Sequence, residues 1–439
     1  MKFGTDGVRG VAYSALTIEF ATRLGAAAAR VLAEGNGDDV LILGGDTRES
    51  TPDLAAALAS GFTSQGVEVV DLGVVPTPMV AFEAQRRAAM GAVVSASHNP
   101  YQDNGIKLFA RGGAKLSDDV EERIEHELES SSTSGVTDAG HVIASADHEA
   151  YIDHIRAFVG GRSLDGLRVV LDCANGAATT VGPEVLRALG ADLVVIADRP
   201  DGRNINDGCG ATCPQHVAEA VVEHGADVGI ALDGDADRLI AVDHAGVTVD
   251  GDHTIAICAG DLRDRGALRH DTVVVTVMTN LGFRLAMREQ GIGVVETAVG
   301  DRYVLEALTA GNLSLGGEQS GHVIFADHAT TGDGVLTAVA LLDVVQRSGR
   351  PLAELARAAM TSLPQVLVNE RVAAKVPDVA DRLADEIAAA EVELGSTGRV
   401  LVRASGTEPL IRVMVEAPTD ETAHRVADEL AAVVRERFA

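Results

Sequence analysis

Short aliphatic runs that break off into polar turns recur along this chain, with helical stretches between them. That alternation dictates βαβ units on a substantially parallel sheet, because a strand followed by a crossover helix returns beside its predecessor. Val40-Leu-Ile-Leu43 reads as a strand, a helix opens at Ser50-Thr-Pro and runs to about Gln65, and 67–72 and 91–95 are the next strands. A second set starts near Gly166, with strands over 167–171, 193–196 and 228–232 and a helix over 177–189. A third starts near Asp250, with a helix to about Leu262, a strand over 272–277 and a long helix from Gly334. Beyond about Thr361 the layout changes to strands near 365–370, 399–403 and 411–416 with helices over 377–391 and 420–437. The expected fold class is α/β: three similar α/β domains with mixed sheets plus a smaller α+β C-terminal domain, bounded at 1–155, 156–249, 250–362 and 363–439. Ser130-Ser-Ser-Thr-Ser-Gly135 reads as a surface loop.

Charge narrows the partners. Thirty-six basic against sixty-five acidic side chains leave a formal −29, a field that repels nucleic acid and anionic membranes. It also repels phosphorylated metabolites at long range, so a phosphate ligand has to be held by local arginines, backbone N–H groups and a cation. Aromatics at 3% mean cores built from Ala, Val, Leu and Ile. The four cysteines, 173, 209, 213 and 258, form neither a disulfide framework nor a zinc spacing, and free thiols are expected. No apolar segment follows Met1-Lys-Phe-Gly-Thr-Asp, and the nearly apolar stretch 335–345 is far shorter than a membrane span, so a cytoplasmic protein is expected.

The chemistry-bearing residues gather in glycine-rich or polar turns. Gly91-Ala-Val-Val-Ser-Ala-Ser-His-Asn-Pro100 runs a buried strand into a turn with Ser97 at the junction, an exposed hydroxyl on a rigid support. Lys107, one of few lysines, follows ten residues later in Asn104-Gly-Ile-Lys107. An oxygen nucleophile near a cation suggests transfer of a phosphoryl group. His98 suits orienting the serine loop better than acting as a base. Asp233-Gly-Asp-Ala-Asp-Arg238 follows another apolar strand, and three carboxylates wrapped around one point call for a hard divalent metal such as Mg²⁺ or Mn²⁺. A solvated acidic loop would read the same, but an EF-hand would not: its sixth position here is Arg238 and its twelfth His244. Arg403-Ala-Ser-Gly-Thr-Glu-Pro409 with Arg412 combines guanidinium, hydroxyl and backbone donors fit for a phosphate dianion; an ordinary turn with surface arginines is the alternative. Gly316-Gly-Glu-Gln-Ser-Gly-His322 offers Glu318 and Ser320 to sugar hydroxyls, with a plain turn equally open. Arg9, between glycines in Gly4-Thr-Asp-Gly-Val-Arg-Gly10, and Arg302 in Gly300-Asp-Arg302 are further cations.

Taken in order and spacing, these segments resemble the α-D-phosphohexomutases, and within them the bacterial phosphoglucosamine mutase branch. Asp46-Thr-Arg48, Asp172-Cys-Ala-Asn-Gly176, Asn204-Ile-Asn206, Val249-Asp-Gly-Asp252 and Val299-Gly-Asp-Arg-Tyr303 extend the match over nearly the whole chain. The resemblance implies four domains around a central cleft and interconversion of a hexosamine 6-phosphate and 1-phosphate through a phosphoserine and a 1,6-bisphosphate. Ser97 then carries the phosphoryl group, and Asp233, Asp235 and Asp237 with the Ser97 phosphate hold one Mg²⁺ per chain. Lys107 becomes the general acid/base, with Arg9, His98 and Arg238 beside it. Glu318, Ser320 and Arg302 meet the sugar, and Arg403, Ser405, Gly406, Thr407 and Arg412 clamp the distal phosphate. Glucosamine or glucose 1,6-bisphosphate is the implied activator, a small hexosamine phosphate the implied partner, and a homodimer is left open. Gln319 stands where the phosphomannomutase/phosphoglucomutase branch usually has Met, favouring the glucosamine branch. Glucose or mannose phosphates as substrates, a non-catalytic sugar-phosphate-binding protein and a metal-dependent phosphatase are the competing readings.

Overall fold

The computed structural model describes residues 1–4, 6–33, 39–130, 140–405 and 409–438, which leaves most of the Ser/Gly patch after Ser130 outside. It comprises two compact units, Met1–Val277 with Gly293–Arg357, and Met278–Ile292 with Ala358–Ala439.

The first unit carries three sheets. The first holds β1 (Val8–Val11), β2 (Val40–Gly45), β3 (Glu68–Val74), β4 (Met90–Val94), β5 (Asp103–Phe109) and β6 (Val142–Ala144), in the order β1-β5-β4-β2-β3-β6. The second holds β7 (Arg168–Asp172), β8 (Asp192–Ile196), β9 (Val228–Leu232), β10 (Leu239–Asp243) and β11 (Thr248–Val249), in the order β11-β10-β9-β7-β8. The third holds β12 (Thr272–Thr276), β13 (Gly293–Thr297), β14 (Leu315–Gly317) and β15 (Val323–Phe325), in the order β13-β12-β14-β15. One pattern underlies all three: the first strand pairs parallel with the second and third, and a fourth returns antiparallel to the third. The order fourth-third-first-second is therefore repeated as β5-β4-β2-β3, β10-β9-β7-β8 and β15-β14-β12-β13. The blocks are topological repeats, and each ends its third strand in a hairpin turn.

The central strands β4 and β9 are buried throughout, which is why they read as unbroken aliphatic runs. The returning strand β5 was not legible in that way, because Asn104 and Lys107 interrupt it. Helix α1 (Ile18–Leu32) and helix α2 (Thr51–Thr63) cover the first sheet with Leu24, Leu54, Leu58 and Phe62 packed on Leu41, Leu43 and Met90. Helices α3 (Thr77–Arg86), α4 (Asp118–Ser130), α5 (Glu149–Phe158), α6 (Val181–Ala188), α7 (Pro214–His224) and α8 (Gly251–Asp264) follow. The helix expected over 177–189 starts four residues late, since Ala174 and Asn175 adopt positive φ and the preceding turn packs on Gly234. Among the described residues no helix is long and apolar enough to cross a membrane, and all four cysteines are free thiols.

The second unit is a three-stranded antiparallel sheet, β16 (Gln365–Arg371), β17 (Arg399–Ala404) and β18 (Leu410–Glu416), in the order β16-β18-β17. Helix α9 (Leu281–Glu289), which sits in the third block of the sequence, belongs to this unit: the Leu281 N–H donates to Glu416 and Arg399 donates to the Thr279 carbonyl. Helices α10 (Asp301–Gly311) and α11 (Gly334–Ser348) return to the third sheet, and α12 (Leu352–Ala359) leads out of it. The single helix expected over 377–391 is two, α13 (Val379–Arg382) and α14 (Ala384–Leu394), parted at Leu383 by a non-helical backbone; α15 (Asp420–Phe438) closes the chain.

Helices α1 and α2 approach each other closely. A β-carbon on Gly61 would stand 2.2 Å from the Thr22 carbonyl oxygen and 2.7 Å from the Ala26 nitrogen. Gly61→Ala should force the helices apart and destabilise the fold by about 1–3 kcal/mol, seen as a lower urea midpoint with unchanged m. An unaltered midpoint would show that the helices give way freely.

Candidate active site

Ser97 follows β4, and its hydroxyl donates to Asp233 Oδ2 at 2.6 Å. The side chain is not the exposed group the sequence led one to expect: the residue is 1% exposed, enclosed by the turn after β9. Antiparallel pairing explains how Lys107 joins it. Val93 faces Lys107 across β4 and β5, so ten residues of separation fold back to one end of the sheet.

The turn from β9 to β10 carries Asp233, Asp235 and Asp237, all buried, with one oxygen from each within 4.8 Å of the others. Ala236, at φ 58, lets the backbone curl tightly, and glycine at 234 leaves room for the Ser97 carbonyl oxygen, which would lie 2.5 Å from a β-carbon there. Lys107 Nζ lies 2.8 Å from Asp235 Oδ2, 3.2 Å from Asp237 Oδ2 and 2.8 Å from Asp6 Oδ2. Thr77, which opens α3, donates its hydroxyl to Asp235 Oδ2 at 2.8 Å. Burial, with Asp237 and Asp235 adding repulsion, holds the Asp233 carboxyl well above the ordinary range. Burial acts the same way on Asp235, but the Lys107 ammonium outweighs it and the carboxyl ends below its usual range. For Lys107 burial favours loss of the proton, and the carboxylates Asp235, Asp237 and Asp6 reverse that. The Oδ1 atoms of Asp235 and Asp237 are buried without a hydrogen-bond partner. Hard oxygen donors, buried and unsatisfied, fit a divalent cation, and the trio can bind a metal.

A cavity of about 460 Å³ opens beside the trio, lined by Arg9, His98, Asp237, Arg238, Glu318 and His322, among others. Arg9 pairs with Asp6, and the Arg238 guanidinium lies 3.8 Å from Asp237 Oδ1. Burial works against the Arg238 charge, but Asp237 and Asp233 more than restore it. His98 Nδ1 stands 3.3 Å from the Ser97 hydroxyl, and burial, then Arg238 and Arg9, bring its pKa down to about 4. It is therefore a neutral imidazole near pH 7. Glu318 is fixed by the Gly300 N–H, donating to Oε1 at 3.1 Å, while Ser320 is exposed at the tip of the β14–β15 turn. That turn is stitched to β10, the Leu239 N–H donating to the Gly321 carbonyl at 2.9 Å. Arg302 is different: its guanidinium is taken up by Asp118 and Glu121, and it does not line the cavity with Glu318.

Sequence reading passed over Asp6, Thr77 and His322. His322 is 2% exposed, with neither ring nitrogen hydrogen-bonded and Nε2 paired with Asp301 Oδ2 at 3.4 Å. It ends the Gly316–His322 motif, and a polar ring directly after a glycine turn was the available signal. Asp6 was quoted only as part of the Gly4–Gly10 motif, and Thr77 carried no signal, because Lys107 and Asp235 reach them from elements distant in the chain.

In the second unit Arg403 and Arg412 face each other across β17 and β18. Burial and the Arg412 charge both lower the Arg403 pKa, and Arg412 Nε is buried without a hydrogen-bond partner. Two like charges in direct cross-strand register invite an anion. Ser405 is buried at the strand end, its N–H donating to the Leu410 carbonyl at 2.8 Å; Gly406 and Thr407 lie outside the described residues.

Four family models match the chain in order: phosphoglucomutase/phosphomannomutase α/β/α domain I over 1–134, domain II over 149–246, domain III over 250–363 and the C-terminal domain over 364–433. A phosphoglucosamine mutase from Thermobifida fusca is 54% identical, over 99% of this chain and 98% of its own. One from Corynebacterium jeikeium is 53% identical, over 99% of each. The crystal structure of a phosphoglucomutase/phosphomannomutase family protein from Burkholderia thailandensis superimposes with a TM-score of 0.84 at 27% identity, over 98% of this chain and 97% of that one.

Asp235→Asn should weaken binding of a divalent cation by about tenfold or more, measured by calorimetric titration of the folded protein. An unchanged isotherm would remove Asp235 from the ligand set.

Proposed function

The chain belongs to the α-D-phosphohexomutase superfamily, beside the bacterial phosphoglucosamine mutases, and from that premise we propose that it interconverts glucosamine 6-phosphate and glucosamine 1-phosphate. Ser97 is the phosphoryl carrier and a hexosamine 1,6-bisphosphate the intermediate. The observation that supports this reading best is the Ser97 hydroxyl, 2.6 Å from Asp233 in a trio that also holds the Lys107 ammonium.

Asp233, Asp235 and Asp237 are the residues that would hold Mg²⁺, one per chain, and the ion supplies charge neutralisation for the phosphoryl group. Such transfer needs positioning and electrostatic stabilisation more than covalent assistance. Lys107, kept protonated by its carboxylates, relays to the Ser97 hydroxyl oxygen the proton that the attacking sugar hydroxyl gives up as the Ser97 oxygen–phosphorus bond breaks, and relays it back to the sugar oxygen when the second phosphoryl returns. Arg9 and Arg238 offset charge on the transferring group. His98, neutral, orients the serine loop. Glu318 and Ser320 contact sugar hydroxyls, and Arg403, Ser405, Gly406, Thr407 and Arg412 take the distal phosphate. Arg302 is left out of direct contact, since Asp118 and Glu121 occupy it. The serine loop falls in 1–155, the metal loop in 156–249, the sugar loop in 250–362 and the phosphate clamp in 363–439. We place the reaction in the cytoplasm, with glucose or glucosamine 1,6-bisphosphate as activator.

Incubation with glucose 1,6-bisphosphate should add one phosphate to the intact mass at Ser97, and Ser97→Ala should lower mutase turnover by about a thousandfold or more. Near-normal turnover would end the phosphoserine reading. Faster rates with glucose or mannose 1-phosphate than with the glucosamine phosphates would move the substrate, and free phosphate in excess of isomer would favour a phosphatase. Arg403→Ala should raise KM for the sugar phosphate by roughly tenfold while Ser97 still takes up phosphate, because it removes a charged hydrogen-bonding partner. An unchanged KM would remove Arg403 from the clamp.

A further inference from the structure

Ser97 is held in a backbone conformation that serine avoids. Its φ is 52, in the left-handed region where a β-carbon crowds the main chain. Such a conformation persists only where the surroundings over-determine it. Here both sides of the residue are tied. Its N–H donates to Ser95 Oγ at 2.9 Å, and the Ser95 hydroxyl donates to Asp46 Oδ2 at 2.5 Å. Its carbonyl accepts from Arg48 Nη2 and from Asn206 Nδ2, each at 2.9 Å. The same two side chains also reach the Asn99 carbonyl, at 2.9 Å and 3.3 Å. Arg48 is 1% exposed and anchored by Asp46, 2.8 Å from its Nε.

Resting on the reading of Ser97 as phosphoryl carrier, we propose that Asn206 is a positioning residue for the reaction, locking the Ser97 carbonyl so that the serine oxygen stays aimed at the Asp233 turn. Arg48 anchors the loop within the first sheet's own block, whereas Asn206 comes from the β8–α7 connection of the second. It therefore fixes the serine loop relative to the block that supplies the carboxylates. Gly234 shows how close the two come: a β-carbon there would stand 2.5 Å from the Ser97 carbonyl oxygen and 2.7 Å from Asn206 Nδ2. The amide points its donor end at the carbonyls and leaves its own Oδ1 buried without a partner, a cost that packing alone would not demand. Asn206 is itself at φ 58, which asparagine tolerates better than most side chains. A serine oxygen that is alternately leaving group and nucleophile needs one fixed position in both halves of the cycle, and small displacements there are costly.

Asn206→Gly tests this cleanly, because glycine keeps the positive φ without strain and only the amide is lost. After loading with glucose 1,6-bisphosphate, the variant should show a shifted or broadened ³¹P resonance for phosphoserine. Its kcat should fall at least about tenfold with KM within about twofold and an unchanged urea midpoint. Asn206→Asp, similar in size but presenting acceptors to two carbonyls, should fall as far. Wild-type kcat in either variant, an unmoved resonance, or a loss tracking lowered stability would overturn the proposal. Absence of that resonance in the wild-type protein would overturn the Ser97 reading itself, and this one with it.

Discussion

Three buried carboxylates with oxygens within 4.8 Å of one another set the terms for everything around them. At that separation each like-charged pair repels by roughly 3–4 kcal/mol with an effective dielectric near 20. The fold meets the repulsion with Lys107 at 2.8 Å and 3.2 Å from two of them, with Arg238 beside the third turn position, and with the Ser97 hydroxyl on Asp233. What remains, two unsatisfied carboxylate oxygens, is a demand for a cation. The same positive groups that steady the trio are those a phosphoryl group requires. A chain with formal charge −29 has to hold a phosphate through local cations, and here the acids of the trio have drawn several together.

The repeated strand order explains why so many functional turns exist. In each sheet of the first unit, the third strand runs outward and the fourth returns antiparallel, so the turn between them projects at the sheet's end. The first such turn holds Ser97, the second the aspartates, the third Glu318 and His322. A parallel strand alone would have led into a helix and left no such tip. In the second unit Ser405 leaves β17 and Arg412 lies on β18, opposite Arg403.

Much of this was legible in order along the chain. Aliphatic runs buried on both faces declare themselves as strands, and turn-bound groups such as Asp233, Asp235 and Asp237 declare themselves through local spacing. Residues whose partners lie on other elements did not. Asp6 reads as an ordinary loop acid until β1 pairs with β5 and sets it against Lys107. Thr77 reads as a helix start, and only the packing of α3 shows its hydroxyl on Asp235. Helix α9 reads as part of the third block, yet its contacts with Glu416 place it in the second unit.

From the residues alone came the fold class, the succession of α/β blocks, and the serine, the carboxylates and the two arginines as candidates, since aliphatic runs and turn motifs are read within short segments. Tertiary structure alone decided that Ser97 is buried, that Lys107 sits among carboxylates, that Arg302 is already occupied and that Asn206 grips the serine loop. Those facts depend on which distant strands meet, and strand pairing is settled by burial summed over whole sheets, which no short segment encodes.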